Sequence, residues 1–140
     1  MLDEVPEWVP VVAGDEEPVD RAAVEARAAE LGLPAVRWPD PFPFDSRTAM
    51  LAATYAKQSG RAVAFSLAAM RQAFAGGRDL SVTDHVLIAA AACELHPRAL
   101  LKGIELRSVR EELEAASASV SAVPCVVDRD GRTLPRDAFV

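Results

Sequence analysis

The residues with the best prospects for chemistry lie near the C-terminus, where Val123 and Pro124 precede a β-branched run and an Asp-Gly turn. A proline at the start of a strand removes one backbone donor, and an X-Pro bond can be cis at a cost of only about 0.5–1 kcal/mol. Such a junction can present the backbone of the preceding residue to a ligand. We therefore predict a ligand-facing junction at Val123 and Pro124.

The two cysteines and two histidines form no self-sufficient site. Cys93 and Cys125 make neither a Cys-x-x-Cys pair nor a metal spacing, and both are expected to be free thiols in a reducing cytosol. Cys93, among alanines and leucines, is predicted to be a core residue, whereas Cys125 is either an inert strand cysteine or a redox centre. His85 and His96 are too far apart along one predicted helix to share a ligand, which favours surface or capping roles.

Charge and motif content narrow the functional classes. The net charge is −6 and the isoelectric point about 4.9, so a broad nucleic-acid or anionic-membrane surface is not expected. Residues 81–104 could be taken for a helix-turn-helix, but the second helix offers only Arg98 and Lys102 to phosphates. No catalytic triad, zinc spacing, phosphate loop or dinucleotide fingerprint is present. A small neutral or locally anionic ligand remains compatible with this composition.

The chain length predicts one structural unit, because 140 residues suffice for a single core and are too few for two domains of ordinary size. The N-terminus has no basic region followed by an apolar run, and the longest apolar window, residues 86–93, is too short for a membrane span. The expected location is cytoplasmic. Alanine is abundant, which predicts closely packed helices that each bury little area.

Helical spacing of apolar residues predicts that most of the chain is helical. Proline or serine starts and glycine stops bound the predicted helices. They cover residues 18–31, 46–59, 63–74, 86–95, 97–102 and 105–118.

A proline-rich segment, residues 33–44, links the first two predicted helices. Proline fixes its own φ and disfavours helix in the residue before it, so this segment is predicted to be extended and stiff. It carries Trp38, Phe42 and Phe44. These rings either pack onto neighbouring helices or form one wall of a ligand site.

Two short β elements flank the helices. Residues 9–13 form an apolar run that contains Pro10 and ends at a glycine, which is typical of an edge strand or an extended lead-in, and we predict a strand. After Pro124, a β-branched strand leads into the Asp130-Gly131 turn and a second strand at residues 132–134. The C-terminal region is therefore predicted to be a β-hairpin.

The order of these segments resembles the DsbA-like branch of the thioredoxin superfamily, and most closely the group of 2-hydroxychromene-2-carboxylate isomerases and kappa-class glutathione transferases. The similarity lies in the Arg-Trp-Pro-Asp-Pro-Phe-Pro-Phe-Asp-Ser segment at 37–46, the Gly-Arg-Asp-Leu-Ser segment at 77–81, and the Ala-Val-Pro step at 122–124 with its hairpin. It implies an α/β, mostly helical, thioredoxin-like fold. Residues 1–17 would be a remnant strand, residues 18–119 a helical insertion domain, and residues 120–140 the hairpin.

The resemblance also implies a ligand site around Val123. Its backbone would pair with the cysteinyl part of glutathione or of a thiol peptide, while Pro124 would hold the bond cis. The carboxylate of Asp137 would bind the γ-glutamyl amine, with Pro135 in place of the glycine that precedes it in relatives. No metal and no cofactor other than glutathione are implied.

In relatives the chemistry is thiol-disulfide exchange or glutathione-dependent isomerisation. Their catalytic serine or Cys-x-x-Cys precedes the segment with which this chain begins, so we expect these 140 residues to be inactive. A sheet without its first strand and last helix would expose an apolar face, which predicts that the chain either forms a homodimer through that face or behaves as a partly ordered remnant. One alternative is a non-catalytic helical binding or dimerisation module. Another is an intermolecular disulfide through Cys125.

Overall fold

Six helices make up most of the structure, a computed structural model that describes residues 7–12, 18–120, 126–127 and 130–134. The mostly helical architecture predicted from the sequence is confirmed, and each predicted helix has a counterpart. The helices are α1 (Arg21–Glu30), α2 (Arg47–Gln58), α3 (Ala62–Phe74), α4 (Thr83–Ala92), α5 (Pro97–Gly103) and α6 (Arg107–Ala118). Within the described residues, no helix is long and apolar enough to cross a membrane.

Side chains cap the N-termini of two helices, α1 and α5. Asp20 caps α1, its carboxylate accepting the Ala23 N–H at 3.1 Å, and Gly32 ends the same helix with φ +67°. His96 caps α5 by accepting the Arg98 N–H on Nδ1 at 3.1 Å, so its predicted surface or capping role is confirmed. Each cap satisfies backbone groups that the helix itself leaves unpaired.

The core forms where α2 packs against α3, α4, α5 and α6. Alanines supply much of the contact, because their small side chains let helix axes approach closely. The fully covered alanines are Ala52 and Ala56 on α2, Ala73 on α3, and Ala89 and Ala90 on α4. Larger side chains fill the space between these contacts, chiefly Phe65, Val86, Leu100, Val109 and Leu113.

One glycine is required by close packing. A Cβ placed on Gly103, in the last turn of α5, would penetrate the ring of Tyr55 on α2. The two helices therefore approach at a position where only a hydrogen atom fits.

The proline-rich segment, hereafter the strap (residues 33–44), contains no helix or strand. The prediction that it is extended throughout is wrong for residues 40–43, which form a series of bends. Its Asp40–Pro41 and Phe42–Pro43 peptide bonds are both cis. Propensity rules favour extended backbone before proline but do not specify the isomer of each bond.

The edge strand predicted for residues 9–13 is wrong for the described residues 9–12, which have no strand pairing. The Val12 N–H, which a strand would donate to a neighbour, is donated instead to Oγ of Ser117 on α6 at 2.9 Å. That hydroxyl in turn donates to the Leu113 carbonyl at 2.7 Å. The segment is therefore held by α6, and Pro10 supplies no donor for a ladder.

Two short strands follow α6. β1 (Val126–Val127) pairs antiparallel with β2 (Thr133–Leu134), with Val126 opposite Leu134 and Val127 opposite Thr133. Gly131, in the connection, has φ +80°. A thioredoxin-like sheet and the division into units at 1–17, 18–119 and 120–140 stay predictions.

Candidate functional site

The ligand-facing residues predicted from the sequence are not among those that the structure describes. Val123, Pro124, Cys125 and Asp137 fall within residues 121–125 and 135–140, which lie outside the described ranges. The glutathione-binding role of these residues therefore stays a prediction.

The cysteine and histidines that are described do not form a chemical centre. Cys93 is buried, as predicted, and its Sγ lies 3.3 Å from the Ala90 carbonyl oxygen. His85 Nδ1 lies 2.7 Å from the backbone oxygen of Asp79, while His96 caps α5. Within the described ranges, no three His, Cys, Asp or Glu side chains are grouped so that they could hold a metal ion.

A large cavity opens between the strap, the start of α1, and the helices α2 and α3. Its volume is about 650 Å³, within the range of about 300–1,000 Å³ that is typical of small-molecule sites. The strap contributes Phe42, Pro43 and Phe44, and the approach to α1 contributes Pro18, Val19 and Arg21. This space, hereafter the strap cavity, is the candidate site.

Small residues on α2 and α3 create the space. Ala49 and Ala53 on α2 and Ala69 on α3 line the strap cavity, and all three are buried. A leucine or phenylalanine at any of these positions would fill part of the volume. Buried Phe65 and Leu80 add to the apolar lining.

Trp38 and Phe42 pack onto α3, whereas Phe42 and Phe44 line the cavity, so each interpretation offered for the strap rings holds for part of the set and Trp38 itself is not a lining residue. The ring of Phe74 on α3 lies 5.9 Å from that of Trp38 and 5.6 Å from that of Phe42. Phe42 also contacts Phe44 at a ring separation of 5.9 Å. A hydrogen bond from the Arg37 N–H to the Phe74 carbonyl, 2.7 Å long, fixes the strap against α3. Edge-to-face pairs of this kind hold rings in defined positions.

One cation lies at the mouth of the cavity. The guanidinium carbon of Arg21 is 5.1 Å from the centre of the Trp38 ring and 5.6 Å from that of Phe42. Its Nη2 donates to the Phe42 carbonyl at 3.2 Å. Among the described residues, no carboxylate lies within ion-pair distance of Arg21, and none lines the cavity. Arg21 is therefore the one charged side chain among the described residues that line the cavity.

Two methionines lie at the sides of the cavity. Met50 on α2 is half-buried, and Met70 on α3 is 47% exposed. Val63 and Leu67, on the same helix at 49% and 48% exposure, do not line the cavity. Met70 therefore differs from Val63 and Leu67 in lining the cavity and not in its exposure.

Sequence reasoning identified the strap rings and missed Arg21, Met50 and Met70. The sequence feature that could have indicated the cavity is an aromatic, proline-rich segment followed by an alanine-rich helix, since rigid rings beside small side chains leave space. Arg21 itself carried no signal, because an arginine at the first position of a helix is usually a solvated surface residue.

Comparisons with protein-family models, with curated proteins and with solved structures give no match for this chain. The site is therefore interpreted from its own geometry.

Proposed function

We propose that this chain is a ligand-binding domain of the DsbA-like lineage, in which the strap cavity holds a small apolar molecule without transforming it. The observation that carries the proposal is the cavity of about 650 Å³ beneath the strap, lined by aromatic, aliphatic and methionine side chains. Lineage membership rests on the strap, the order of the helices and the Val-Pro step in the sequence.

The lining favours binding of an apolar group. Each Å² of apolar surface removed from water contributes about 25 cal/mol. The strap rings are already fixed against Phe74 and the strap backbone is rich in proline, so a ligand would not have to order this wall. A preorganised wall lowers the entropic cost of binding.

A non-catalytic role fits the chemistry that the chain offers. Thiol-disulfide exchange needs an accessible thiolate, whereas Cys93, the cysteine within the described residues, is buried beside the Ala90 carbonyl. The 140 residues contain no Cys-x-x-Cys sequence. Among the described residues, the polar groups that line the cavity are Arg21, Ser46 and Ser66, and these three include no general base.

The test is a titration with Nile red, a neutral dye that fluoresces in apolar surroundings. We expect saturable one-to-one binding to the wild-type protein. Met70→Gln should weaken binding about fivefold, because it replaces apolar lining with an amide. Leu67→Gln is the matched control, being equally exposed on the same helix but outside the cavity, and should bind as the wild type does.

Equal weakening of Nile red binding by both variants, or binding that never saturates, would contradict the proposal.

Light scattering after size-exclusion chromatography measures the oligomeric state and so tests the alternative that the chain is a dimerisation module. Self-association that Met70→Gln abolishes in the absence of dye would show that a second copy of the chain occupies the cavity.

Glutathione binding at Val123 and Asp137 is a second proposal. The observation that favours it is the antiparallel pair of β1 and β2, which follows the Val-Pro step as a ligand-side hairpin does in relatives. Reduced glutathione should shift the amide resonance of Val123 saturably, and Asp137→Asn should abolish the effect while Asp84→Asn on α4 leaves it unchanged. Intact mass under non-reducing conditions, compared with Cys125→Ser, tests the disulfide alternative.

A further inference from the structure

We infer that the ligand of the strap cavity is an alkyl carboxylate, whose chain lies among the apolar side chains and whose carboxylate pairs with Arg21. The inference rests on the proposed function, since both concern the same cavity, but it adds the chemical class of the ligand.

Arg21 is placed to receive an anion. A guanidinium offers five N–H donors in a planar fork that matches a carboxylate. Only one donor bond of Arg21 is made to a described residue, from Nη2 to the Phe42 carbonyl. The stacking contacts with Trp38 and Phe42 restrain the plane of the group without using its remaining donors. The side chain is thus oriented by aromatic rings and lacks a described anionic partner.

The charges at the cavity select the sign of the ligand. Arg21 is the one charged side chain among the described residues that line it, so an anionic head group gains a charge-assisted bond. A cationic head group would meet the guanidinium with no compensating carboxylate among the described lining residues. A neutral head group would gain only ordinary hydrogen bonds, to Ser46 or Ser66.

The remainder of the lining suits a flexible chain. Met50 and Met70 are unbranched and adapt to irregular shapes. Ala49, Ala53 and Ala69 present a smooth floor of methyl groups with no hydrogen-bonding group that a polar ligand body could use. An unbranched alkyl chain can bend to follow these walls.

The experiment compares three probes of equal chain length by displacement of Nile red, each ionic probe below its critical micelle concentration and the alcohol below its solubility limit. They are dodecanoate, dodecanol and dodecyltrimethylammonium. In the wild-type protein, dodecanoate should bind about tenfold more tightly than dodecanol, as one charge-assisted hydrogen bond predicts. Dodecyltrimethylammonium should bind least.

Arg21→Gln should remove the preference for dodecanoate over dodecanol while leaving dodecanol binding unchanged. Arg27→Gln is the control for net charge, because Arg27 lies on the same helix, pairs with Glu30 at 3.0 Å and does not line the cavity. It should keep the tenfold preference.

The outcomes separate this inference from the proposed function. Equal binding of dodecanoate and dodecanol, or a preference that Arg21→Gln leaves intact, would overturn the carboxylate ligand while the cavity remains a binding site. If none of the three probes displaces Nile red, the assignment of an alkyl chain to the ligand is overturned. Failure of Nile red itself to bind would overturn both.

Discussion

Trp38 donates its indole N–H to Oε1 of Glu25 across 2.7 Å, which joins the strap to α1. The helix has little other attachment, since Ala28 is its one buried residue. The position of Arg21 at the cavity mouth therefore depends on the same strap that supplies the aromatic wall. One segment fixes both the apolar and the charged part of the candidate site.

Replacing Trp38 by phenylalanine tests this attachment. The variant keeps a ring beside Phe42 and Phe74 but removes the indole donor. We expect the free energy of unfolding to fall by about 1 kcal/mol, the typical contribution of one hydrogen bond. Backbone amides of α1 should exchange with deuterium faster than in the wild type, whereas those of α2 should change little. Trp8→Phe is the control, because Trp8 is 52% exposed and donates no described hydrogen bond. Unchanged exchange in α1 would contradict the account.

Lys57 on α2 links the N-terminal segment to α6. Its Nζ lies 3.0 Å from Oε1 of Glu7 and 3.8 Å from Oε1 of Glu112. The hydrogen bond with Glu7 raises the pKa of Lys57 above its ordinary value of 10.5, and the Glu112 charge adds to the increase while burial opposes it. A raised pKa in the folded state means that the stabilisation is complete below pH 10.5 and is lost as the pH rises through the folded value.

We expect Lys57→Met to lower the free energy of unfolding at pH 7 by about 1 kcal/mol, near the upper end for a partly exposed pair. The difference from the wild type should shrink above pH 10.5, as measured by urea denaturation. Lys102→Met is the control, since Lys102 forms no described ion pair. The Glu112 Oε2 atom is buried without a described hydrogen-bond partner. Adding Glu112→Gln to the Lys57→Met variant should therefore recover part of the lost free energy of unfolding. A difference in the free energy of unfolding between the wild type and Lys57→Met that stays constant above pH 10.5 would contradict this role of the Lys57 pKa.

Asp79 positions the loop that carries Leu80 into the cavity wall. Its Oδ1 accepts the Ser81 N–H at 2.8 Å. Hydrogen bonds from the Ser81 side chain and then its backbone lower the pKa of Asp79 below the ordinary 3.8. The stabilisation is therefore present above pH 3.8 and disappears as the pH falls through the folded value.

Asp79→Ala should accordingly be less stable than the wild type at pH 7, with a gap that narrows below pH 3.8, and should bind Nile red more weakly. Thermal unfolding across an acid pH series measures the gap. Glu105→Ala, at an exposed carboxylate without a described side-chain partner, should show no such dependence. A difference in stability between Asp79→Ala and the wild type that does not narrow as the pH falls below 3.8 would count against the assignment.

Gly103 tests the contact between α5 and α2. Alanine in a helix is ordinarily more stable than glycine by about 0.5–1 kcal/mol. Here the added Cβ would enter the Tyr55 ring, so Gly103→Ala should destabilise the protein by about 1–3 kcal/mol. In a Tyr55→Ala background the same substitution should be neutral or stabilising. Stabilisation of the wild-type protein by Gly103→Ala would show that the helices do not approach so closely.

The helices were predictable because their signals are local. The apolar spacing before Gly32 and the proline after His96 each specify a helix boundary through groups within a few residues. The strand at residues 9–12 was wrong because its outcome depends on a distant hydroxyl, Ser117, which competes for the Val12 N–H. Sequence periodicity contains no information about such a partner.

The candidate site was predictable only in part. The strap rings were identified because proline and aromatic residues stand out in sequence. The cavity was not, because it arises where Ala49, Ala53 and Ala69 from two helices face the same space. Arg21 acquires its role only through the bend that brings Phe42 over it. These relationships depend on tertiary packing, which no single segment encodes.

The most direct test of the strap cavity as a binding site uses methionine methyl NMR. The chain has three methionines, and Met50 and Met70 both line the cavity. With ¹³C-methyl methionine, and with Met50→Leu and Met70→Leu to assign the signals, Nile red is titrated into the wild-type protein. The account predicts that both methyl resonances shift saturably, with one dissociation constant that equals the value from fluorescence. Saturating fluorescence with neither resonance shifted would place the dye elsewhere and contradict the account.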